Sequence, residues 1–292
     1  MAIPESQLSR WSHHGPQEAS IRTHQTIRSA LEDYTWPQGM TYNVFLQGSY
    51  RNDTNTRGDS DVDVVLELKS TFYYDATSLP EFDRGVLRAS IPPATHSWND
   101  FRCEALRALQ DGFPWGSVVQ GNKALKLKEN PPRLAADVVV CAEHRRYTSP
   151  WEYVQGITFW ALRDNYQVIN YPRRHYKNGA AKSVCTFDRY KRTVRMFKNA
   201  RNFMESNGII NAELAPSYFI ESLIYNAPDA AFQPGFQDTY YSIVKWMAST
   251  NLSGLVCQNC QQYLFGSSPE QWSVENAQAF ANWLAALWDN WS

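Results

Sequence analysis

Residues 42–68 read YNVFLQGSYRNDTNTRGDSDVDVVLEL, and this stretch decides the fold. Its first five residues are β-prone and run into Gln47, Gly48 and Ser49, so a strand enters a tight turn. A polar loop rich in Asn, Thr, Arg and Gly follows. From residue 61 to 68 acidic and apolar residues alternate, the period-two pattern of a strand with two chemically different faces. Asp61 and Asp63 project from the same face of such a strand, about 6–7 Å apart along the chain. Adjacent acids on a half-buried strand repel, so a cation belongs beside them. Mg²⁺ suits the place, because it takes carboxylate and phosphate oxygens and keeps waters. Gly48 allows close backbone approach to a phosphate, and the Ser49 hydroxyl with the following amides donates to phosphate oxygens. A bare Asp-x-Asp also reads as a solvent-facing acidic edge. Gly-Ser, a loop, and then Asp-x-Asp among valines is far more restrictive.

A third carboxylate is needed where one ion activates an attacking hydroxyl and another holds a triphosphate. Asp137 is the candidate, embedded in LAADVVV at 134–140, where an unpaired buried charge is costly and a metal offsets that cost. Its alternative is a structural acid paired with an Arg. Asp59 and Glu67 are weaker substitutes, Asp59 preceding the strand and Glu67 lying several residues beyond the pair.

Outward from this stretch, residues 16–34 carry Ala19, Ile21, Ile27, Ala30 and Leu31 at largely helical spacing, with Pro16 suited to a first turn. Residues 78–93 read as an irregular connection and 98–109 as a helix. Strand candidates follow at 118–127 and 134–141, separated by a turn at 129–132. From about residue 186 helical periodicity dominates, at 190–204, 218–225, 240–247 and 274–288, with Pro216 and Pro228 as punctuation. The expected class is α+β. A catalytic lobe of mixed sheet and helices is expected over 1–165, and a mainly helical lobe over 166–292. Trp283, Trp288 and Trp291 read as packing surface.

The chain has 292 residues, of which 43% are hydrophobic, enough to bury a substantial core. Lys and Arg total 28 against 29 for Asp and Glu, which gives no global reason to expect a nucleic-acid coat. No stretch approaches the roughly 20 apolar residues of a membrane helix, and MAIPESQLSR lacks the apolar core of a secretory signal, so the expected compartment is the cytoplasm. Five cysteines, at 103, 141, 185, 257 and 260, fit reduced thiols. Cys257 and Cys260 form a lone CxxC without a second ligand pair, which favours two partly buried thiols at a turn over a zinc site. His13 and His14 beside Gly15 read as a polar loop.

The Gly-Ser, loop, Asp-x-Asp and later acid resemble the Polβ-like nucleotidyltransferase superfamily. The fuller text at 45–68 is most similar to the bacterial cGAS/DncV-like nucleotidyltransferases (CD-NTases). The likeness continues through YPRRHYKNGAAKSVCTFDRYKRTVRMFKNARN at 171–202 and LAPSYFIESLIYNAPD at 214–229, so it spans most of residues 20–230. It implies a bilobal fold with the active site in the cleft between lobes. It also implies two Mg²⁺ ions per site, with Mn²⁺ as a substitute, held by Asp61, Asp63 and Asp137. Lys198 on a helix, with Ser217 and Tyr218 about twenty residues later, is then expected to hold the donor triphosphate and stack its base. Lys182 and Arg195 are candidate further phosphate contacts, and Asn170, His175 or Asn178 candidates near an acceptor base. Arg173, Arg174, Lys177, Lys191 and Arg192 form a basic cluster whose default reading is solvated surface.

The implied chemistry is attack by a ribose hydroxyl of one nucleotide on the α-phosphate of another. The implied product is a cyclic di- or trinucleotide messenger that activates an effector in antiphage (CBASS-type) defence. Nucleoside triphosphates are the expected substrates of a monomer that needs neither membrane nor nucleic acid. The rivals are a template-independent RNA nucleotidyltransferase of the CCA-adding or poly(A) type, and a catalytically silent nucleotide-binding regulator.

Overall fold

The computed structural model describes residues 2–15, 17–57 and 61–291, apart from the Ala212 side chain. Its helices are α1 (Glu5–Ser12), α2 (Glu18–Glu32), α3 (Gly48–Asn52), α4 (Glu81–Ser90), α5 (Trp98–Gly112), α6 (Pro172–Cys185), α7 (Arg189–Ser206), α8 (Ser217–Asn226), α9 (Phe236–Ser249) and α10 (Val274–Asp289). The strands are β1 (Tyr42–Leu46), β2 (Val62–Asp75), β3 (Val118–Gln120), β4 (Leu125–Leu127), β5 (Ala136–Ser149), β6 (Glu152–Ala161) and β7 (Tyr166–Asn170). Packing divides the chain into two units that interleave in sequence. One holds the sheet, up to Tyr50 and then as far as Pro172; the other holds the chain up to Gly15, a short stretch from Arg51, and everything from Arg173 onward. The division therefore differs from the single cut expected after residue 165, because β7 completes the sheet and the first fifteen residues join the C-terminal helices.

In the sheet unit the strand order is β1-β2-β5-β4-β3, with β6 on the second half of β5 and β7 beyond it. β2 and β5 run parallel, and the other pairs are antiparallel. The two faces follow from the alternation along β2. Val62, Val64, Leu66 and Leu68 point with Ala136, Val138 and Val140 into a core against Ile27 and Leu31 of α2 and Phe101, Ala105 and Leu109 of α5. The buried stripe of α2 is Ser20, Thr23, Ile27 and Leu31, and Ile21 is half-exposed. Thr23 takes the expected apolar place because its hydroxyl accepts from Leu134 N at 3.0 Å, tying the helix to the entry of β5. A reciprocal capping box between Ser97 and Asp100 starts α5.

The opposite face carries a smaller apolar cluster, with Val65, Val139, Cys141, Ile157, Phe159 and Val168. Beyond it, Glu67 and Glu143 are buried and share the Lys69 ammonium, and Arg145 Nε donates to Glu143 Oε1 at 2.7 Å. Burial alone would push the Glu143 carboxyl up, but Lys69 and Arg145 together hold it below its usual range. A depressed folded value contributes stability above the unfolded carboxylate range and loses it as pH falls through the folded value. Glu143→Gln is expected to cost about 2 kcal/mol at pH 7, less than a fully buried pair because Lys69 is partly exposed. It should also flatten the acid limb of a urea-unfolding series between about pH 5 and pH 3. An acid limb as steep as that of the unsubstituted chain overturns this.

Residues 81–90 form α4 where an irregular segment was expected. The helix is short and buries only Leu87, against Leu79 and Tyr147, while Phe82 stays exposed, so little of the segment belongs to a core. β6 conceals itself through Gly156, where any Cβ would stand 2.7 Å from Asn170 O and 2.9 Å from the Tyr171 ring.

The helical unit has its own core, built from Leu8 and Trp11 of α1, Val194, Phe197 and Ala200 of α7, Ile220 and Leu223 of α8, and inward residues of α9 and α10. Tyr240 stacks on Phe197 at 5.0 Å and on Trp288 at 5.3 Å, and Trp291 meets Trp11 edge-on, so two of the three C-terminal tryptophans pack as expected. The five cysteines are free, and Cys257 and Cys260 flank a turn in which Cys260 N donates to Cys257 O at 2.8 Å.

Candidate active site

β2 and β5 pair in parallel with Asp63 directly opposite Asp137, so both carboxylates leave the same face of the sheet from adjacent strands. Asp61, two residues before Asp63, lies just ahead of the strand and is exposed, whereas Asp63 and Asp137 are half-buried. Burial pushes the Asp137 carboxyl up; the Lys126 ammonium, 3.9 Å away, opposes that shift, and the Asp61 carboxylate adds to it. The Asp137 carboxyl thus feels Asp61, and the structural partner of Asp137 is a Lys on β4 rather than the Arg considered above.

Gly48 fixes the fourth side of this group. Its φ of +67° lies in the left-handed region, and a Cβ built on it would stand 2.0 Å from Asp63 Oδ2. Gln47 N donates to Asp63 O at 3.0 Å, so the turn between β1 and α3 is clamped against the Asp63 carboxylate by backbone contact, and Ser49 follows in the first turn of α3. Among the described residues no group of three His, Cys, Asp or Glu side chains is arranged to hold a metal ion by itself. An open set of aligned carboxylates, opposite one another across a strand pair, nevertheless fits a hard cation whose remaining ligands are phosphate oxygens and water. Asp59 lies outside the described residues, as does Pro16. Glu67 is committed to Lys69 and is not a ligand candidate.

The remaining expected residues belong to the helical unit, except Asn170, whose Oδ1 accepts from Tyr171 N at 2.7 Å. Lys198 is fully buried, and its ammonium donates to Thr54 O at 3.0 Å. Ser217 opens α8, and its hydroxyl accepts from the Arg201 guanidinium at 3.0 Å. Tyr218 stacks on His175, with ring centres 5.3 Å apart and planes 23° apart. The structure takes three candidates into internal bonding. Lys182 binds Ala227 O and the Asp229 carboxylate, each at 2.6 Å; Arg195 binds Ser12 O at 2.7 Å and the Asp53 carbonyl; Asn178 binds Gln258 O at 2.8 Å. Glu221, Thr54 and Arg201 were not singled out from the sequence. Glu221 carried a signal, since it is an acid inside the apolar run of α8.

Comparison with known proteins gives the family. Residues 27–115 match the nucleotidyltransferase domain, and 177–291 match the cGAS/DncV-like nucleotidyltransferase C-terminal helical domain. The chain is 45% identical over 295 residues to the cyclic UMP-AMP synthase of Rhodothermus marinus (strain SG0.5JP17-172), covering 100% of this chain and 99% of that one. It is 34% identical over 302 residues to the cyclic nucleotide synthase CdnE01 of Staphylococcus haemolyticus, with 100% of both chains covered. The solved structure of Rhodothermus marinus CdnE c-UMP-AMP synthase with Apcpp and Upnpp superposes with a TM-score of 0.92 at 44% identity, covering 99% of this chain and 98% of that one. With the register of Asp63 and Asp137, the Gly48 turn and both family matches in one chain, the protein belongs to the cGAS/DncV-like nucleotidyltransferases.

Proposed function

We propose that this enzyme joins nucleoside triphosphates into a cyclic dinucleotide, with UTP and ATP as the first pair to test. The observation that carries the reading is the Asp63–Asp137 register with Gly48 packed against the Asp63 carboxylate. The 45% identity to a cyclic UMP-AMP synthase supports the choice of bases. Asp61, Asp63 and Asp137 are the residues to hold two divalent ions, Mg²⁺ or Mn²⁺, which supply charge neutralisation on the triphosphate and acidify the attacking hydroxyl. Gly48 and Ser49 seat the leaving phosphates, the Gly by allowing close approach and the Ser by donating a hydrogen bond. Ser217 and Tyr218 hold the donor nucleotide, Tyr218 through its ring face. Each transfer forms one ribose-oxygen bond to an α-phosphorus and breaks the bond to the β-phosphate bridge. Two transfers close a ring and release two pyrophosphates. Such a product is a diffusible messenger suited to antiphage signalling.

Incubation with the four labelled triphosphates and Mg²⁺ or Mn²⁺, followed by phosphatase, tests the proposal. A phosphatase-resistant product containing uridine and adenosine, absent from the Asp61→Ala/Asp63→Ala protein, is expected. A ladder on added RNA replaces the reading with an RNA-extending enzyme, and no turnover with either metal replaces it with a silent nucleotide binder.

A further inference from the structure

We infer that Glu221 and His175 form a positioning pair that sets the Tyr218 ring and ties it to Thr54, two residues beyond α3. This rests on the reading of Tyr218 as the base platform. Glu221 is buried and uses both carboxylate oxygens. Oε2 accepts from the Thr54 hydroxyl at 3.0 Å, and Oε1 accepts from His175 Nε2 at 3.1 Å. Thr54 lies six residues after Gly48, and Lys198 holds the same residue by its carbonyl. His175 in turn lies flat on Tyr218.

Burial would push the Glu221 carboxyl up, yet His175, Lys198 and the Thr54 hydroxyl together hold it below its ordinary value. A buried carboxylate kept charged in this way fixes its partners in direction as well as distance, since misalignment leaves a buried charge without a bond. The position of His175 is over-determined. Its carbonyl accepts from Gln258 Nε2 at 2.7 Å, and the one Tyr190 hydroxyl proton is shared between Gln258 Oε1 and the Glu221 carbonyl. The ring has one orphan, Nδ1, which is buried and without a partner. Nε2 is the nitrogen spent on Glu221. An imidazole that spends one nitrogen on a carboxylate and leaves the other empty is placed for the sake of its ring. The ring's neighbour is Tyr218.

Lys198 acquires a different role from the one its resemblance implies. Fully buried, with its ammonium on Thr54 O and its charge acting on Glu221, it belongs to the same positioning group in this conformation.

Two substitutions at one position separate this inference from mere satisfaction of a buried charge. His175→Gln keeps a donor for Glu221 and removes the ring; His175→Phe keeps a ring and removes the donor. Steady-state rates and calorimetric midpoints are measured for both, with Glu221→Gln as a third variant. His175→Gln is expected to keep its unfolding midpoint within a few degrees while kcat falls about tenfold, a loss typical of imperfect placement. His175→Phe is expected to lose stability and to retain more kcat per folded molecule than His175→Gln. Unchanged kcat in His175→Gln overturns the inference and leaves only a charge-satisfying role. An unsubstituted enzyme without transferase activity fails the functional reading instead, so the two failures are told apart by the parent protein.

Discussion

Asp63→Asn is expected to lower nucleotidyl transfer by about 10³-fold or more while leaving the unfolding midpoint of the metal-free protein no lower than that of the unsubstituted chain. The reasoning starts from the strand pair. Like charges directly opposite each other destabilise a sheet, and Asp63 faces Asp137 in register with Asp61 adding its field. Neutralising the middle acid relieves that repulsion. The same change removes a carboxylate from the set proposed to hold the ions, so activity and stability move in opposite directions, as they do where a site is selected against stability. Mass-spectrometric product assays and calorimetry without added metal read the two quantities. A large fall in midpoint together with the fall in rate would mean that Asp63 is a structural acid. Retention of a tenth or more of the rate would remove it from the catalytic set.

Gly48→Ala is the second large effect. Two costs add. A left-handed φ of +67° costs an Ala about 1 kcal/mol. The new methyl would also stand 2.0 Å from Asp63 Oδ2, where real Cβ atoms do not approach, so Asp63 or the turn must shift by about an ångström. A displacement of that size at a reacting centre costs about 10²-fold in rate. Gly208 provides the control, because it has the same φ of +67° with open space around it. Gly208→Ala should lose about 1 kcal/mol and no specific activity per folded molecule. Equal activity in the two alanine variants would show that the contact with Asp63 does not matter.

The acid face was legible in sequence because its chemistry is local: two acids two apart at the entry of one strand need no knowledge of the rest of the chain, although Asp61 lies just ahead of β2 and not within it. Asp137 was legible for a different reason, as a charge within LAADVVV, but its exact opposition to Asp63 comes only from the parallel register. Most of the long helices were readable from their apolar period, but α6 was not, because its buried face is His175, Gly179 and Ser183. β6, β7 and α4 were not, since Gly156 replaces a strand side chain with a neighbouring ring and α4 rests on one leucine. The roles of Lys198 and Lys182 were the hardest to read. A lysine on a helix looks the same in sequence whether its ammonium meets a phosphate, a carbonyl 144 residues away or a carboxylate on a later turn, and here the bonds seen are of the last two kinds. Glu221 illustrates the converse, an acid whose conspicuous place in an apolar helix announces a buried network without naming its members.

The order of synthesis gives the interleaved units a further consequence. The chain passes between them four times, and α1 emerges first while the helices it packs against emerge last. Arg195 closes a bond to Ser12 O across 183 residues, and Asn199 one to Trp11 O across 188. On the ribosome, all of the sheet unit has emerged once β7 has appeared, with the stretch at 51–59 still lacking the helices it joins. Ile3, Leu8 and Trp11 must wait, exposed, until α7 is made. A nascent chain that ends before residue 189 therefore holds every strand of the sheet and an α1 whose apolar side chains lack their partner helix.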